Sequence, residues 1–395
     1  MARRGTGAKK FMISGDQASI SWRLWRHILG FDRPELIGEM TGGHRPAGSG
    51  GFFFPIPPPW FLPGGGLGRV ARNRELSMTD TREPTRPSFT PSVMYNFVRG
   101  RQLEGTYPGD HTTGYWIISS LRVLRGWGQP SEEEWPYDGS GINWPPVEPP
   151  DIDKAAKLHR ICAYQRVRSL EECKIALARQ WPVNVALAIR LEDWRSASGG
   201  QIAMPSGNST PTDSHTVFIC GYNDAKANLT FQNTWGVEWG DRGYGYIPQR
   251  YFERFQQEAW TIPPDGFILP SFDGSGFLCR AWGLPDCFSE TPLVGIELYD
   301  GSNDECVGWA FLVKRHGYAD IEELFVRPAY RGRRNGVALA KLIKTRPEFG
   351  DRPLRLWVSH ADREAVSSTP FRKIVRRLGL SVKPASRRWA SYVGM

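Results

Sequence analysis

Cysteine is scarce in this sequence, and long apolar runs are missing. The 395 residues include 6 cysteines, and none of them precedes Cys162. So few thiols in a chain of this length exclude a disulfide-stapled fold. No stretch reaches the roughly 18 consecutive apolar residues of a membrane-spanning helix, and no apolar segment of the secretory kind follows Arg3-Arg4. We therefore expect a cytoplasmic protein without a membrane partner.

Clusters of metal-ligating residues are also lacking. The 7 histidines are scattered, and no cysteine pair is accompanied by a histidine at metal-site spacing, so the sequence predicts no metal. The formal net charge is +9, but residues 1–90 contribute +6 of it, from 13 basic and 7 acidic residues. Because this excess lies in the part of the chain with the least structural patterning, it does not predict a nucleic-acid partner.

The chain does contain enough apolar sequence for two domains, since 40% of its residues are hydrophobic. Residues 1–87 are the exception, because they are rich in Pro, Gly and Arg. The stretch 46–70 holds 6 Pro and 7 Gly, which interrupt both helices and strands. We expect residues 1–87 to be poorly structured.

The order of apolar patterns after this segment predicts two folded units. In residues 88–265, helical periodicity around Met94 and at 115–124 precedes strand-like runs at 183–189 and 216–221, an order typical of an α+β domain. Residues 266–290 begin after a Pro-Pro pair and are predicted to be a linker. Residues 291–395 alternate strand and helix patterns, which predicts a separate α/β domain.

A histidine and an asparagine stand in an ordered set of motifs. The chain reads Ser-His-Thr-Val-Phe around His215, Gln-Asn-Thr-Trp-Gly around Asn233, and then Trp-Gly-Asp-Arg-Gly-Tyr-Gly-Tyr. This set resembles the papain-like cysteine peptidases, over residues 88–262. In that family a His deprotonates a Cys thiol and an Asn orients the imidazole. The resemblance implies a papain-like α+β fold and catalytic roles for His215 and Asn233.

The nucleophile of that family is missing. The thiol lies ~130–150 residues before the His, which corresponds here to positions 65–85, and that window contains no Cys. As written, the chain is not expected to be a working peptidase. Three explanations remain open: an inactive domain that keeps its cleft for binding, a partner that supplies the missing helix, or an upstream region (1–87) read in a wrong frame or from a wrong start. In the last case the protein would be an active cysteine peptidase.

A second motif follows a predicted strand near the C-terminal end. The sequence Leu-Phe-Val-Arg-Pro-Ala-Tyr-Arg-Gly-Arg-Arg-Asn-Gly-Val runs from Leu324 to Val337 into an apolar helix. It resembles the core motif of GNAT-type N-acetyltransferases, over residues 291–395, although Arg334 replaces the inner glycine. Backbone N–H groups of such a turn bind the pyrophosphate of coenzyme A. The resemblance implies acetyl-CoA as cofactor, bound by these residues: Leu324, Val326, Arg331, Gly332, Arg333, Arg334, Asn335, Gly336 and Val337.

Acetyl transfer also needs a group that deprotonates the acceptor amine. Glu322 and Glu323, on the preceding strand, are the candidates for this base, acting through water. The two N-terminal helices that usually shape the acceptor pocket of that family have no clear counterpart here. The sequence thus predicts a papain-like domain fused to an acetyl-CoA-dependent N-acyltransferase domain, with an amine or a peptide as partner. The alternative is a protein without enzymatic activity that binds a peptide and a nucleotide.

Overall fold

Two units, each a mixture of helices and strands, follow one another along the chain. The computed structural model describes residues 51–53, 91–111, 114–137, 143–179, 181–206, 211–262, 277–284, 288, 293–300, 305–346, 349, 352–362, 368–382 and 390–394. The segment 1–87, predicted to be poorly structured, lies outside these residues except for one short strand, β1 (Gly51–Phe53). We call residues 91–262 the N-terminal unit and residues 277–394 the C-terminal unit.

The N-terminal unit begins with helices and continues with strands, and the predicted α+β order is confirmed. Its helices are α1 (Val93–Glu104), α2 (Ile117–Gly126), α3 (Ile152–Ala156), α4 (Leu170–Ala178), α5 (Leu191–Arg195) and α6 (Gln249–Phe255). Its strands are β2 (Gln165–Arg166), β3 (Val183–Ile189), β4 (Asp213–Asn223), β5 (Asn228–Gln232), β6 (Tyr244–Pro248) and β7 (Gln256–Thr261).

These strands form one antiparallel sheet in the order β2-β7-β3-β4-β5-β6, and β1 pairs with the end of β4. The central strand β3 reads Val-Asn-Val-Ala-Leu-Ala-Ile, and the apolar side chains at Val183, Val185 and Leu187 are fully buried. β-branched and apolar residues favour such a strand, because they pack well on a pleated surface. The sheet thereby fixes the positions of the residues at the start of β4 and the end of β5.

The C-terminal unit is built on a second sheet. Its strands are β8 (Phe277–Leu284), β9 (Leu293–Asp300), β10 (Glu305–Lys314), β11 (Ala319–Val326), β12 (Leu354–Val358), β13 (Leu380–Val382) and β14 (Ala390–Gly394), in the order β13-β14-β12-β11-β10-β9-β8. Its helices are α7 (Asn335–Lys344) and α8 (Thr369–Leu378). The pair β11–β12 is parallel, and the other described pairs of this sheet are antiparallel.

The predicted linker 266–290 is corrected by β8. This strand pairs with β9 along its whole length, from Phe277 opposite Asp300 to Leu284 opposite Leu293. The Pro-Pro pair before the segment marked a break in the sequence pattern, but the run 277–284 behind it pairs its backbone with β9 at the edge of the sheet. The described part of the C-terminal unit therefore begins before residue 291.

The two units share one apolar core. Strand β10 is buried on both faces: Trp309, Phe311 and Val313 pack with residues of α2, whereas Ala310 and Leu312 pack beneath α7 and α8. Because side chains alternate along a strand, a continuous apolar run such as this one requires cover on both sides. The N-terminal unit provides that cover on the face opposite α7 and α8.

Helix α2 is buried all round, although it carries two arginines. Arg122 forms ion pairs with Glu323 (2.9 Å) and Asp362 (2.7 Å), and Arg125 pairs with Glu297 on β9. A buried guanidinium needs such partners because desolvation of an unpaired charge is very unfavourable. The helices and strands of the two units are thus joined by ion pairs as well as by apolar packing. None of the described helices is long and apolar enough to cross a bilayer.

Candidate active site

The first candidate site lies where β4 begins and β5 ends. β4 and β5 pair with Phe218 opposite Gln232, so that His215 on β4 lies near Asn233, which directly follows β5. As predicted, the two side chains meet: the distance from His215 Nε2 to Asn233 Oδ1 is 2.9 Å. The Thr234 backbone N–H also donates to Asn233 Oδ1, at 2.9 Å. This oxygen can only accept, so His215 carries its proton on Nε2 and presents Nδ1 as an acceptor.

Aromatic rings enclose this pair. The centroid of the Trp235 ring lies 4.8 Å from that of the imidazole at an interplanar angle of 33°. The centroid of the Trp194 ring lies 5.6 Å from it, with the two rings nearly perpendicular. Trp194 is held in turn because Trp239 donates its indole N–H to the Trp194 carbonyl. Burial lowers the pKa of His215 to about 4, against a smaller opposing effect of the hydrogen bond to Asn233. At neutral pH the imidazole is therefore uncharged and can accept a proton.

The thiol that this pair would activate has no candidate upstream of Cys162 in the sequence. The window 65–85 lies outside the described residues. Two of the described thiols lie within strands and use backbone carbonyls: Cys220 donates to Thr230, at 3.7 Å, and Cys306 donates to Gly308, at 3.6 Å. Cys173 is buried within α4, and burial raises its pKa well above that of a reactive thiol.

The second candidate site is the turn between β11 and α7. Gly332 and Arg334 both have left-handed backbone conformations, with φ of 82° and 64°. Within the described part of the chain, the backbone N–H groups of residues 332–336 donate to no acceptor. Consecutive unpaired N–H groups at a left-handed turn and a helix start form a concave site for an anion.

Two side chains of this turn, those of Arg331 and Asn335, donate to backbone carbonyls. Arg331 points back to β11, where its Nε donates to the Val326 carbonyl at 2.9 Å. Asn335 is buried and donates to the Tyr330 carbonyl at 3.0 Å, and the left-handed residue is Arg334 beside it. Arg333 and Arg334 are exposed. Arg331 is exposed as well, so the turn presents three cations, of which Arg331 is held against β11 by its hydrogen bond to Val326.

Close packing explains the last glycine of the motif. A Cβ atom on Gly336 would lie 2.5 Å from Ile374 Cδ1 of helix α8. Gly336 therefore allows α8 to approach the first turn of α7. Val337 follows in that first turn and is half-buried, and Leu324 uses its backbone N–H to donate to the Glu323 carboxylate at 3.1 Å.

The general-base role predicted for Glu323 is corrected. Both of its carboxylate oxygens are engaged: Arg122 Nη2 donates to one at 2.9 Å, and the Tyr164 hydroxyl donates to the other at 3.0 Å. Glu323 is buried between the units, where it balances the charge of Arg122. A carboxylate held in this way has no oxygen left for an acceptor amine.

Glu322 is different, because only one of its oxygens is engaged. Arg168 and Arg315 both approach Oε1, while Oε2 is buried and accepts no hydrogen bond from any described residue. Sequence reasoning missed Arg122 and Arg168 as partners of these carboxylates. For Arg122 the available signal was its place among the apolar residues of α2, since buried charges occur in pairs. Arg168 lies in the loop before α4, where no local pattern marks it.

Comparison with known proteins finds similarity to cysteine peptidases in the part of the chain that carries the first site. Residues 109–258 match the family described as papain family cysteine protease. An uncharacterised peptidase C1-like protein of Acanthamoeba polyphaga mimivirus is 24% identical over 198 residues, which are 47% of this chain and 63% of that protein. Xylellain, a cysteine protease from Xylella fastidiosa, is 26% identical, with 45% of this chain and 71% of that chain covered and a TM-score of 0.41.

A further similarity concerns an acetyltransferase. An uncharacterised N-acetyltransferase of Methanocaldococcus jannaschii is 24% identical over 153 residues, which are 38% of this chain and 58% of that protein. The chain spans less than two thirds of the length of the curated relatives it matches. The chain contains a papain-like cysteine peptidase domain, which carries the His215–Asn233 pair.

Proposed function

We propose that this protein, with its papain-like cysteine peptidase domain, is an N-acyltransferase whose C-terminal unit transfers the acyl group of acetyl-CoA to an amine. The observation that carries the proposal is the run of unpaired backbone N–H groups at residues 332–336, at the start of α7. Such a run binds phosphate groups through backbone donors and the helix dipole. The exposed guanidinium groups of Arg333 and Arg334 add positive charge at the same place.

The strand before this turn supports a binding site for the rest of acetyl-CoA. Strands β11 and β12 pair only from Ala319 opposite Leu354 to Ile321 opposite Leu356. Beyond Ile321, the edge of β11 that faces β12 is free of strand pairing, and an extended ligand with amide groups can add to such an edge. The Arg331 side chain donates to the Val326 carbonyl, so a ligand can bind to this carbonyl only when that side chain moves away.

Binding of acetyl-CoA to the whole chain tests the proposal. Acetyl-CoA at 100 times its Kd would stabilise the protein by about 2.7 kcal/mol, which thermal unfolding detects as a rise in Tm. Arg333→Glu reverses one exposed charge at the turn and should weaken the shift. Lys226→Glu makes the same change in an exposed turn of the N-terminal unit and should leave it unchanged. Absence of a shift with millimolar acetyl-CoA would remove the acyltransferase function.

A second candidate function is favoured by the His215–Asn233 pair. The hydrogen bond, the Trp235 ring and the uncharged imidazole provide an oriented and shielded base for a thiol. A pair preserved in this way fits a domain that binds a peptide without cleaving it. It fits equally an active cysteine peptidase if residues 1–87 are read in a wrong frame or from a wrong start, because no Cys precedes Cys162 in the sequence as written.

Labelling with a thiol-directed epoxide probe of papain-like peptidases separates these two possibilities. The peptide-binding domain predicts no covalent label in the intact protein, with or without His215→Ala. A label that disappears in His215→Ala would assign cysteine peptidase activity, because only an imidazole-activated thiol depends on that residue.

A further inference from the structure

Helices α7 and α8 carry many basic residues and no acidic ones. Residues 331–346 and 368–382, which include both helices, contain ten Arg and Lys and no Asp or Glu. Six of the ten lie on the helices themselves and are exposed: Lys341, Lys344, Arg372, Lys373, Arg376 and Arg377. None of these six forms an ion pair with another described residue. We call the six residues the basic face.

The sequence of α8 places its charged and apolar side chains on opposite sides. Four apolar side chains pack into the core of the C-terminal unit: Phe371, Ile374, Val375 and Leu378. Arg372 and Arg376 form one row on the solvent side, because residues four apart are neighbours on a helix surface. Lys373 and Arg377 form a second row, about 100° further round the helix axis. Helix α8 therefore presents two rows of cations to solvent.

Helix α7 extends this surface, because the two helices lie side by side. Gly336, in the first turn of α7, packs against Ile374 of α8. A Cβ atom on Gly379, directly after α8, would lie 3.5 Å from Lys344 Nζ at the end of α7. Lys341 lies about one turn before Lys344. The cations of both helices thus belong to one continuous surface.

The basic face is unfavourable for the protein on its own. Like charges four residues apart on a helix repel each other, as in both rows of α8. Arg372 also lies at the end of the first turn of α8, where the helix dipole favours an anion. A bound polyanion removes the repulsion and supplies the charge that this end of the helix favours.

The surroundings of these charges favour double-stranded DNA among the polyanions. Among the described residues, the exposed large apolar side chains are Val147, Leu158 and Val237, all of the N-terminal unit. The basic face therefore offers no apolar anchor to a bilayer or a protein partner, and no exposed ring for stacking on unpaired bases. An α-helix is about 10–12 Å across, and the major groove of B-form DNA is about 12 Å wide. The deep, narrow major groove of duplex RNA does not admit a helix.

We propose that the basic face binds double-stranded DNA, with α8 along the major groove and its two rows of cations facing the phosphates on either side. Arg binds a phosphate through two parallel N–H groups, and Lys adds a point charge. Contacts of this kind read no base sequence, so the binding is non-specific and weakens with salt. This inference goes beyond the acyltransferase function and does not depend on it. The net charge did not predict this partner, because the distribution of charge along the chain does not show how two helices combine their cations in space.

Fluorescence anisotropy with a labelled duplex oligonucleotide of mixed sequence tests the proposal on the full chain. If all six cations contact phosphates, raising the salt concentration from about 50 to about 200 mM should weaken binding on the order of 10³-fold. Absence of binding at the lower salt concentration would overturn the proposal, whether or not acetyl-CoA binds.

A pair of double variants separates the basic face from the overall charge. Arg372→Gln with Arg376→Gln removes one row of α8 and should reduce the slope of log K against log salt by about 2. Arg250→Gln with Arg254→Gln removes two exposed arginines, also four residues apart, from α6 and should leave the slope unchanged. The first variant should lose no Tm, because its substitutions relieve repulsion. Equal weakening of binding by the two variants would mean attraction by net charge alone and would overturn the docking surface.

Other polyanions complete the test. Single-stranded DNA, duplex RNA and vesicles containing phosphatidylserine are compared with duplex DNA at the same salt concentration, and duplex DNA should bind most tightly. Tighter binding of any of the three others, with the same dependence on Arg372 and Arg376, would assign the basic face to that partner and overturn the choice of DNA.

Discussion

The two candidate sites differ in what forms them. The His215–Asn233 site is made of side chains that are buried, enclosed by indole rings and bonded to each other. The turn at residues 332–336 is made of backbone N–H groups next to exposed arginines. A side-chain site keeps its geometry through packing even without its nucleophile. A backbone site keeps its donors whatever side chains it carries, so it tolerates Arg334 where a glycine is expected.

The ion pairs of Arg122 join the two units that carry these sites. Their removal should have the largest effect on stability. Arg122→Met leaves Glu323 and Asp362 without their cation, and breaking such a buried pair costs about 3–5 kcal/mol. Urea unfolding at neutral pH measures this loss. Both units should lose stability together, because they share one core.

A second substitution serves as the control for this prediction. Arg122→Met combined with Glu323→Gln removes both charges of the pair and should recover part of the loss. If the single variant unfolds the C-terminal unit alone and leaves the N-terminal unit at wild-type stability, the two sites belong to independent domains.

On acidification, the titration of His215 at the first site should lower the free energy of unfolding by about 3 kcal/mol. The second site, which is made of backbone N–H groups, should make no such contribution. The pKa of His215 is about 4 in the folded protein and about 6.5 in an unfolded chain. Between these values the unfolded state binds more protons, so the free energy of unfolding decreases as the pH falls from about 6.5 to about 4. The stability that the uncharged His215 imidazole contributes is fully present above about pH 6.5 and is lost below about pH 4.

Comparison with a variant isolates this contribution from that of the carboxylates. The difference in unfolding free energy between wild type and His215→Gln should shrink as the pH is lowered through this window, as measured by urea unfolding at several pH values. A difference independent of pH would mean that the imidazole is solvated and that the enclosure by Trp194 and Trp235 does not persist in solution.

Sequence reasoning succeeded where a feature is local. The strand Val183–Ile189 was predicted at its observed ends, because a short apolar run between turn residues defines it. The His215–Asn233 pair was predicted from two motifs 18 residues apart. Sequence reasoning failed where the partners are distant in the chain. Arg122 and Glu323 are 201 residues apart, and no local pattern specifies which buried charges form a pair.

The turn itself shows the same limit on a smaller scale. Gly332 and Arg334 adopt the left-handed conformation, while Asn335, a residue that tolerates this conformation better than arginine, begins the helix. The choice follows from the packing of α7 against α8 at Gly336 and from the buried amide of Asn335. Tertiary contacts, rather than the intrinsic preferences of the turn residues, decide it.

Gly332→Ala should destabilise the protein by about 1–2 kcal/mol, because its φ of 82° is unfavourable for a residue with a Cβ. No atom lies within 4 Å of the added Cβ, so that the backbone alone causes the loss. Gly317→Ala is the matched control, since Gly317 has a φ of 78° and equally open surroundings. Both should lower Tm to a similar degree, but only Gly332→Ala should weaken the acetyl-CoA shift. Equal shifts in the two variants would separate the turn from the ligand.

Arg334→Gly should have the smallest effect on stability, and it should stabilise the protein rather than destabilise it. Glycine adopts a φ of 64° without the steric penalty that arginine bears, so the variant should be more stable by about 1 kcal/mol. Arg333→Gly removes the same charge from the neighbouring position, where φ is not positive, and should be neutral or destabilising. Thermal unfolding compares the two at equal net charge. If Arg334→Gly is more stable but binds acetyl-CoA more weakly, the charge of Arg334 contributes to anion binding. The strained backbone at residue 334 then accompanies that binding role.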